Sequence, residues 1–177
     1  MELQERLRKI QVLLLDVDGI LTDTKIFYDG TEWRRFFSIR DGSGLKLLQE
    51  NGVKIGFITG SKAQDIRERA KMLSVDFFHE GALDKTGPFD EILKQERIDT
   101  DRVAYMGDDY FDLPILKRVG FAATVPEAGE QIRAAVHYVT MQKGGSGAVR
   151  EVCDMILQTK QSVQREQWKT YKKARDE

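Results

Sequence analysis

Cysteine is almost absent from this sequence, with Cys153 the single copy, so a disulfide framework and a Cys-based zinc site are excluded and a reducing compartment is expected. A small buried hydrophobe is the role expected of Cys153 itself. Histidine is scarce too: His79 and His137 are the whole supply, and both read as structural. Net charge is also missing, because 28 Lys and Arg face 29 Asp and Glu. That balance gives no global basic field for nucleic acid, and a small anionic substrate would need local cations. Nowhere do about 18 apolar residues run together, and the opening MELQERLRKI alternates in charge without an apolar signal core. The expectation is a cytoplasmic protein with neither membrane nor nucleic acid as partner.

What is present is organised around Leu13-Leu-Leu-Asp16-Val-Asp18-Gly-Ile-Leu-Thr-Asp23. A branched apolar run reads as a strand buried on both faces, and it stops at two carboxylates one residue apart. In an open α/β sheet, ligands bind at such strand ends. Further buried strands are expected at 53–58, 75–78, 102–106 and 121–123 and near residue 138. Helices are expected at 45–50, up to 73, at 88–95, up to 119 and at 126–135. The alternation gives a doubly wound, Rossmann-like parallel α/β sheet. A β-hairpin is inserted after the first strand, over about 24–39, with its turn at Asp29-Gly30. Trp33, Phe37 and Ile39 are assigned to one face of it and Phe27 and Phe36 to the other, so an oligomer interface is expected there. Arg40-Asp-Gly-Ser-Gly44 reads as a glycine-punctuated entry to the next helix. Residues 1–160 are read as one domain and 161–177 as a charged tail, with six Lys or Arg and three Asp or Glu from Lys160 on. The tail is expected either to be solvated or to place Trp168 over a neighbouring site.

Three strand ends deliver polar groups to one sheet edge: Asp16 and Asp18, then Thr59, then Asp108, Asp109 and Asp112. Lys85 lies in the loop after the third strand. Clustered carboxylates without cysteine suit a hard divalent cation, best Mg²⁺. An aspartate nucleophile can form an aspartyl-phosphate, a neighbouring carboxylate can move the proton, and lysine, hydroxyl and metal can neutralise the phosphoryl oxygens.

DVDGILTD, Thr59, Lys85 and GDDYFD, in that order, resemble the four motifs of the haloacid dehalogenase superfamily phosphatases. The resemblance implies Asp16 as nucleophile and metal ligand, and Asp18 as acid/base and ligand through its backbone carbonyl. It implies Asp108 as the third ligand, Thr59 and Lys85 as holders of the phosphoryl group, and Asp109 and Asp112 as supports for the ligands and for Lys85. The stretch from motif I to motif II holds one hairpin, one helix and one strand, which leaves no room for a cap domain. The hairpin, the Arg40 to Gly44 segment and the late Gly144-Gly-Ser-Gly-Ala-Val-Arg-Glu-Val152 resemble a capless subfamily that acts on sugar-acid phosphates and assembles as homotetramers through the hairpin. The implied substrate is an eight-carbon 3-deoxy-octulosonate phosphate of lipopolysaccharide precursor synthesis, with a nine-carbon sialic-acid-like phosphate as the alternative. Ser61 and Ser146 stand where that subfamily usually carries arginine, so Gly60, Arg40, Lys62 and Arg150 are the substrate-binding candidates. A signalling receiver is the rival from another class, but it would carry its phospho-accepting aspartate on a later strand.

Overall fold

The computed structural model describes residues 2–160; the expectations for 161–177, Trp168 among them, lie outside the described residues. Six strands form one sheet in which every pairing is parallel. They are β1 (Val12–Leu15), β4 (Lys54–Ile58), β5 (Phe77–His79), β6 (Val103–Met106), β7 (Phe121–Thr124) and β8 (Tyr138–Val139), in spatial order β5-β4-β1-β6-β7-β8. Helices α1 (Leu3–Lys9), α2 (Ile39–Glu50), α3 (Gln64–Leu73), α4 (Thr86–Glu96), α5 (Leu113–Leu116) and α6 (Glu130–Arg133), and α7 over 148–160, connect or flank the strands. All four residues of β1 are buried, as are those of β6 and β7, so these strands need no polar alternation.

The chain steps from β1 outward through β4 to β5, then returns across β1 to build β6, β7 and β8 on the other side. β1 therefore lies where the winding direction reverses, and a crevice opens at its carboxyl end. The residues there are the Asp16 and Asp18 of the opening motif.

Several boundaries differ from expectation. Helix α2 begins at Ile39, so the Arg40 to Gly44 segment is helical rather than a loop. Ser38 caps it by accepting the Asp41 amide, and the buried Asp41 carboxylate in turn accepts the amides of Gly147 and Arg150 at the start of α7. Gly44 lies against Arg150 and Cys153, so the glycine spacing serves a helix crossing. Helix α6 covers only 130–133 of the expected 126–135, because Pro126 to Ala128 turn before Gly129 caps it in an extended conformation. Strand β5 begins at Phe77 rather than residue 75, since Ser74 adopts a left-handed conformation. Helix α5 ends at Leu116, with Arg118 and Val119 turning back onto the Ile115 carbonyl.

The hairpin of β2 (Ile26–Tyr28) and β3 (Trp33–Arg35) is present as a separate two-stranded sheet. Its turn is centred on Gly30-Thr31, one residue beyond the expected pair: the Asp29 amide donates to the Glu32 carbonyl, and the Asp29 carboxylate accepts from the amides of Thr31 and Glu32. Trp33 meets Tyr28 on one face and Phe27 stacks on Phe36 on the other, 5.0 Å between ring centres. Ile39 belongs to α2 and does not extend either face. His137 is structural, its Nδ1 accepting the Ala122 amide. Cys153 is fully buried, and burial pushes its thiol well above the usual range.

Candidate active site

Asp16 follows β1 directly, and its amide still donates to the Met106 carbonyl of β6, so its position is fixed by the sheet. The chain then turns tightly, with the amides of Ile20, Leu21 and Thr22 all directed at the Val17 carbonyl. Gly19 makes the turn possible: its φ is +91°, and a Cβ there would lie 2.1 Å from the Asp108 carboxylate. One glycine thus lets motif I and the acidic cluster after β6 touch.

The lysine arrives from the loop before α4. Its side chain is only 5% exposed, and Nζ lies 2.8 Å from Asp16 Oδ1 and 2.7 Å from Asp112 Oδ1. Asp112 is a hub: it is fully buried and also accepts from the Tyr105 hydroxyl (2.6 Å) and the amides of Asp108 and Asp109 (both 3.1 Å). Thr59 is buried at the end of β4, and its hydroxyl oxygen accepts the Ser61 amide at 3.1 Å. Asp16, Asp18, Thr59, Gly60, Lys85 and Asp108 line one cleft of about 260 Å³, with exposed Asp109 and Phe111 at its edge. The four motifs therefore converge. A second hollow shares Thr24 and Asp108 with the first and brings Lys25, Lys143 and Ser146 alongside.

Three substrate-binding candidates lie elsewhere. Arg40 is exposed in the first turn of α2. Arg150 pairs with Asp154 at 2.8 Å and packs over Gly44. Lys62 runs across Gly81. The residue that sequence reasoning missed is Arg35, whose guanidinium reaches Asp18, Asp65 and Ser61. The strand offers little local signal, since β3 is Trp33-Arg34-Arg35 and nothing in that pattern separates the arginine that faces the cleft from its neighbour.

Carboxylate oxygens of Asp16, Asp108 and Asp112 come within 4.8 Å of one another. Burial, then the Asp112 charge, raises Asp16 to about 7 against the opposing pull of Lys85. Burial, then the charges of Asp16, Asp112 and Asp109, raises Asp108 to about 7 as well. Lys85 moves in the direction set by its partners: burial lowers it, but Asp16 and Asp112 more than offset that and hold it above the usual lysine value. Of the three carboxylates, Asp112 is saturated by hydrogen bonds, whereas Asp108 Oδ1 is buried with no hydrogen-bond partner among the described residues. An unpaired buried carboxylate oxygen beside a second carboxylate whose pKa is raised by burial fits a hard divalent cation held by Asp16 and Asp108.

An open parallel sheet with an aspartate pair at the end of an inner strand, a buried lysine and an acidic cluster at the neighbouring strand end defines a haloacid dehalogenase-like hydrolase. The sequence signature described as haloacid dehalogenase-like hydrolase matches residues 80–152. The 3-deoxy-D-manno-octulosonate 8-phosphate phosphatase KdsC of Yersinia pestis is 37% identical over 154 residues, covering 86% of this chain and 82% of that one. The crystal structure of a Yersinia pestis phosphatase of that name superposes with a TM-score of 0.87 at 35% identity, over 91% of this chain and 88% of the other. A Moraxella catarrhalis phosphatase of the same name, in complex with magnesium, phosphate and a KDO molecule, superposes with a TM-score of 0.85 at 36% identity, over 88% and 90% of the two chains. Within the haloacid dehalogenase-like hydrolases, the chain belongs to the family of the KdsC phosphatases.

Proposed function

We propose that this protein hydrolyses the phosphate monoester of a sugar acid, 3-deoxy-D-manno-octulosonate 8-phosphate, releasing 3-deoxy-D-manno-octulosonate and phosphate for lipopolysaccharide precursor synthesis. The observation that carries the reading is the ion pair of Asp16 with Lys85 at the carboxyl end of β1, 2.8 Å apart and in one carboxylate cluster with Asp108, whose Oδ1 has no hydrogen-bond partner among the described residues. An Asp16 oxygen attacks phosphorus as the bond to the sugar oxygen breaks, and Asp18 gives that oxygen its proton. Asp18 then takes a proton from water, the water oxygen attacks phosphorus, and the Asp16 acyl phosphate is cleaved to free carboxylate and phosphate. Lys85 and Thr59 hold the phosphoryl oxygens through both displacements. When bound, magnesium neutralises charge on the phosphoryl oxygens and the surrounding carboxylates; Asp16, Asp108 and the Asp18 carbonyl would hold it.

The remainder of the sugar acid extends from the cleft into the adjoining hollow, where Lys25 and Lys143 stand beside Ser146 and would exchange their present partners, Asp23 at 2.9 Å and Glu127 at 3.6 Å, for the substrate's carboxylate. With serine at 61 and 146, a nine-carbon sialic-acid-like phosphate is the second reading. The assembly we infer is a homotetramer through the hairpin, supported by exposures of 57% at Tyr28 and Trp33 and 70% at Phe36. No helix among the described residues is long and apolar enough to cross a membrane, and the lone thiol suits the cytoplasm. The deciding experiment compares kcat/KM for the eight- and nine-carbon phosphates with magnesium, with chelator, and with Asp16→Asn. Loss of turnover with chelator and in the variant is expected, with preference for the eight-carbon substrate. Activity surviving both treatments would overturn the mechanism.

A further inference from the structure

We infer that Arg35 is a positioning residue for Asp18, through which the docked hairpin sets the geometry of proton transfer. The inference rests on the reading of Asp18 as the acid/base of phosphomonoester hydrolysis. Nε of Arg35 donates to Asp18 Oδ1 at 2.6 Å and Nη2 to Asp18 Oδ2 at 3.1 Å, a side-on bidentate pair. The remaining nitrogen, Nη1, donates to Asp65 Oδ1 at 3.1 Å, while the Arg35 amide donates to Asp65 Oδ2 at 2.8 Å. Nη2 also reaches Ser61 Oγ at 3.3 Å.

Burial makes this arrangement directional. The side chains of Arg35 and Asp65 are 10% and 9% exposed, whereas that of Asp18 is 38% exposed. A carboxylate that open to water would sample several rotamers; a planar guanidinium, itself fixed from behind, selects one. Tying the hairpin to α3 requires only the contacts of the Arg35 amide and Nη1 to Asp65, the latter reaching Oδ2 as well at 3.4 Å. The other nitrogens of Arg35 are directed instead at Asp18 and Ser61, both of which line the catalytic cleft. Among the described residues, Arg35 is the one cation paired with Asp18. Moreover, Arg35 pairs across the hairpin with Ile26 and shares β3 with Trp33, so whatever holds the exposed aromatic strand also holds the partner of Asp18.

The leaving group separates this role from simple scaffolding. Displacement of a sugar alkoxide requires a proton from Asp18, whereas displacement of p-nitrophenolate does not, and kcat/KM ends at that first displacement. With full-length protein and magnesium, Arg35→Ala should lower kcat/KM for 3-deoxy-D-manno-octulosonate 8-phosphate by about tenfold or more, and for p-nitrophenyl phosphate by less than about threefold. Arg35→Lys, which keeps the charge but not the side-on pair, should show a smaller loss with the same selectivity. Equal losses on both substrates, or no loss on the sugar phosphate, would overturn the inference. Should Arg35→Ala fail to fold, Arg35→Lys decides by the same ratio. Asp18→Asn is the reference: if it shows no leaving-group selectivity, the assignment of Asp18 falls and the inference with it. If Asp18→Asn is selective and the Arg35 variants are not, the inference alone falls.

Discussion

Lys85 Nζ stands 2.8 Å from Asp16 Oδ1 with both side chains at most 10% exposed, so the proposed nucleophile meets its cation out of water. In such a place a charge is worth far more than in solvent, and its loss cannot be covered by solvation. Lys85→Ala should lower kcat by about 10²- to 10³-fold, the range seen when one preorganised donor is removed from developing negative charge. Lys85→Arg should not restore it, because the planar fork cannot reproduce two contacts from one nitrogen in a space this closed. Steady-state kinetics on both variants check this; kcat within about threefold of the parent would remove Lys85 from the phosphoryl site.

Asp16 and Asp108, each raised to about 7, make the stability of metal-free protein depend on pH. A raised carboxyl pKa means that the folded chain holds its protons more tightly than the unfolded one. Their contribution is therefore most favourable below about pH 4 and declines as pH rises to about 7. Thermal unfolding in chelator should show the decline across that window, once the other carboxylates are accounted for by an Asp108→Asn comparison. Magnesium should raise Tm more at about pH 8 than at about pH 5, because protons compete for its ligands. A magnesium shift independent of pH would contradict the assignment of Asp16 and Asp108 as ligands.

The central strand and its aspartate pair were legible because local pattern alone defines them: four apolar residues, then two carboxylates at a strand end. Thr59 and Lys85 were legible through their order along the chain. Arg35 was not, because its partners Asp18 and Asp65 lie 17 and 30 positions away and a solvated charge has the same local signature. The start of α2 was missed for a related reason. Gly42 and Gly44 read as breakers, yet the helix is supported by Leu45 and Leu48 in the core and by contacts with a helix about a hundred residues on. Local propensity lost to tertiary packing there, whereas at α6 local turn residues, Pro126 and Gly129, cut short a helix that the sequence pattern extends over 126–135.

The hairpin exposes Ile26, Phe27, Tyr28, Trp33 and Phe36, each at least 41% accessible. Burying such side chains contributes roughly 1.5–3 kcal/mol apiece, enough for several together to hold subunits in register. Sedimentation velocity should find a tetramer for the parent protein and smaller species for the double variant Trp33→Glu, Phe36→Glu. Activity of that variant should fall as it is diluted, since in the proposed tetramer a neighbour would exclude water from the uncapped cleft. A parent protein that sediments as a monomer at all concentrations would exclude the tetramer.

The late glycine loop supports the catalytic turn from behind. The Gly145 amide donates to the Ile20 carbonyl at 3.0 Å, and a Cβ on Gly144 would lie 1.9 Å from the Gly19 carbonyl oxygen. Backbone against backbone leaves no flexible side chain to yield, so Gly144→Ala must move the turn between Asp18 and Thr22. That turn carries Gly19 against Asp108, and a shift of about 1 Å at such a site can cost on the order of 10²-fold in rate. We expect Gly144→Ala to lose about 1–3 kcal/mol of stability, a few degrees in Tm, and at least about tenfold in kcat. Gly129→Ala is the matched control, because open space surrounds that position and its φ is −57°. It should melt and turn over like the parent. A Gly144→Ala protein equally unaffected would show that the turn after Asp18 keeps its shape without the loop, and the glycines would then serve only the entry to α7.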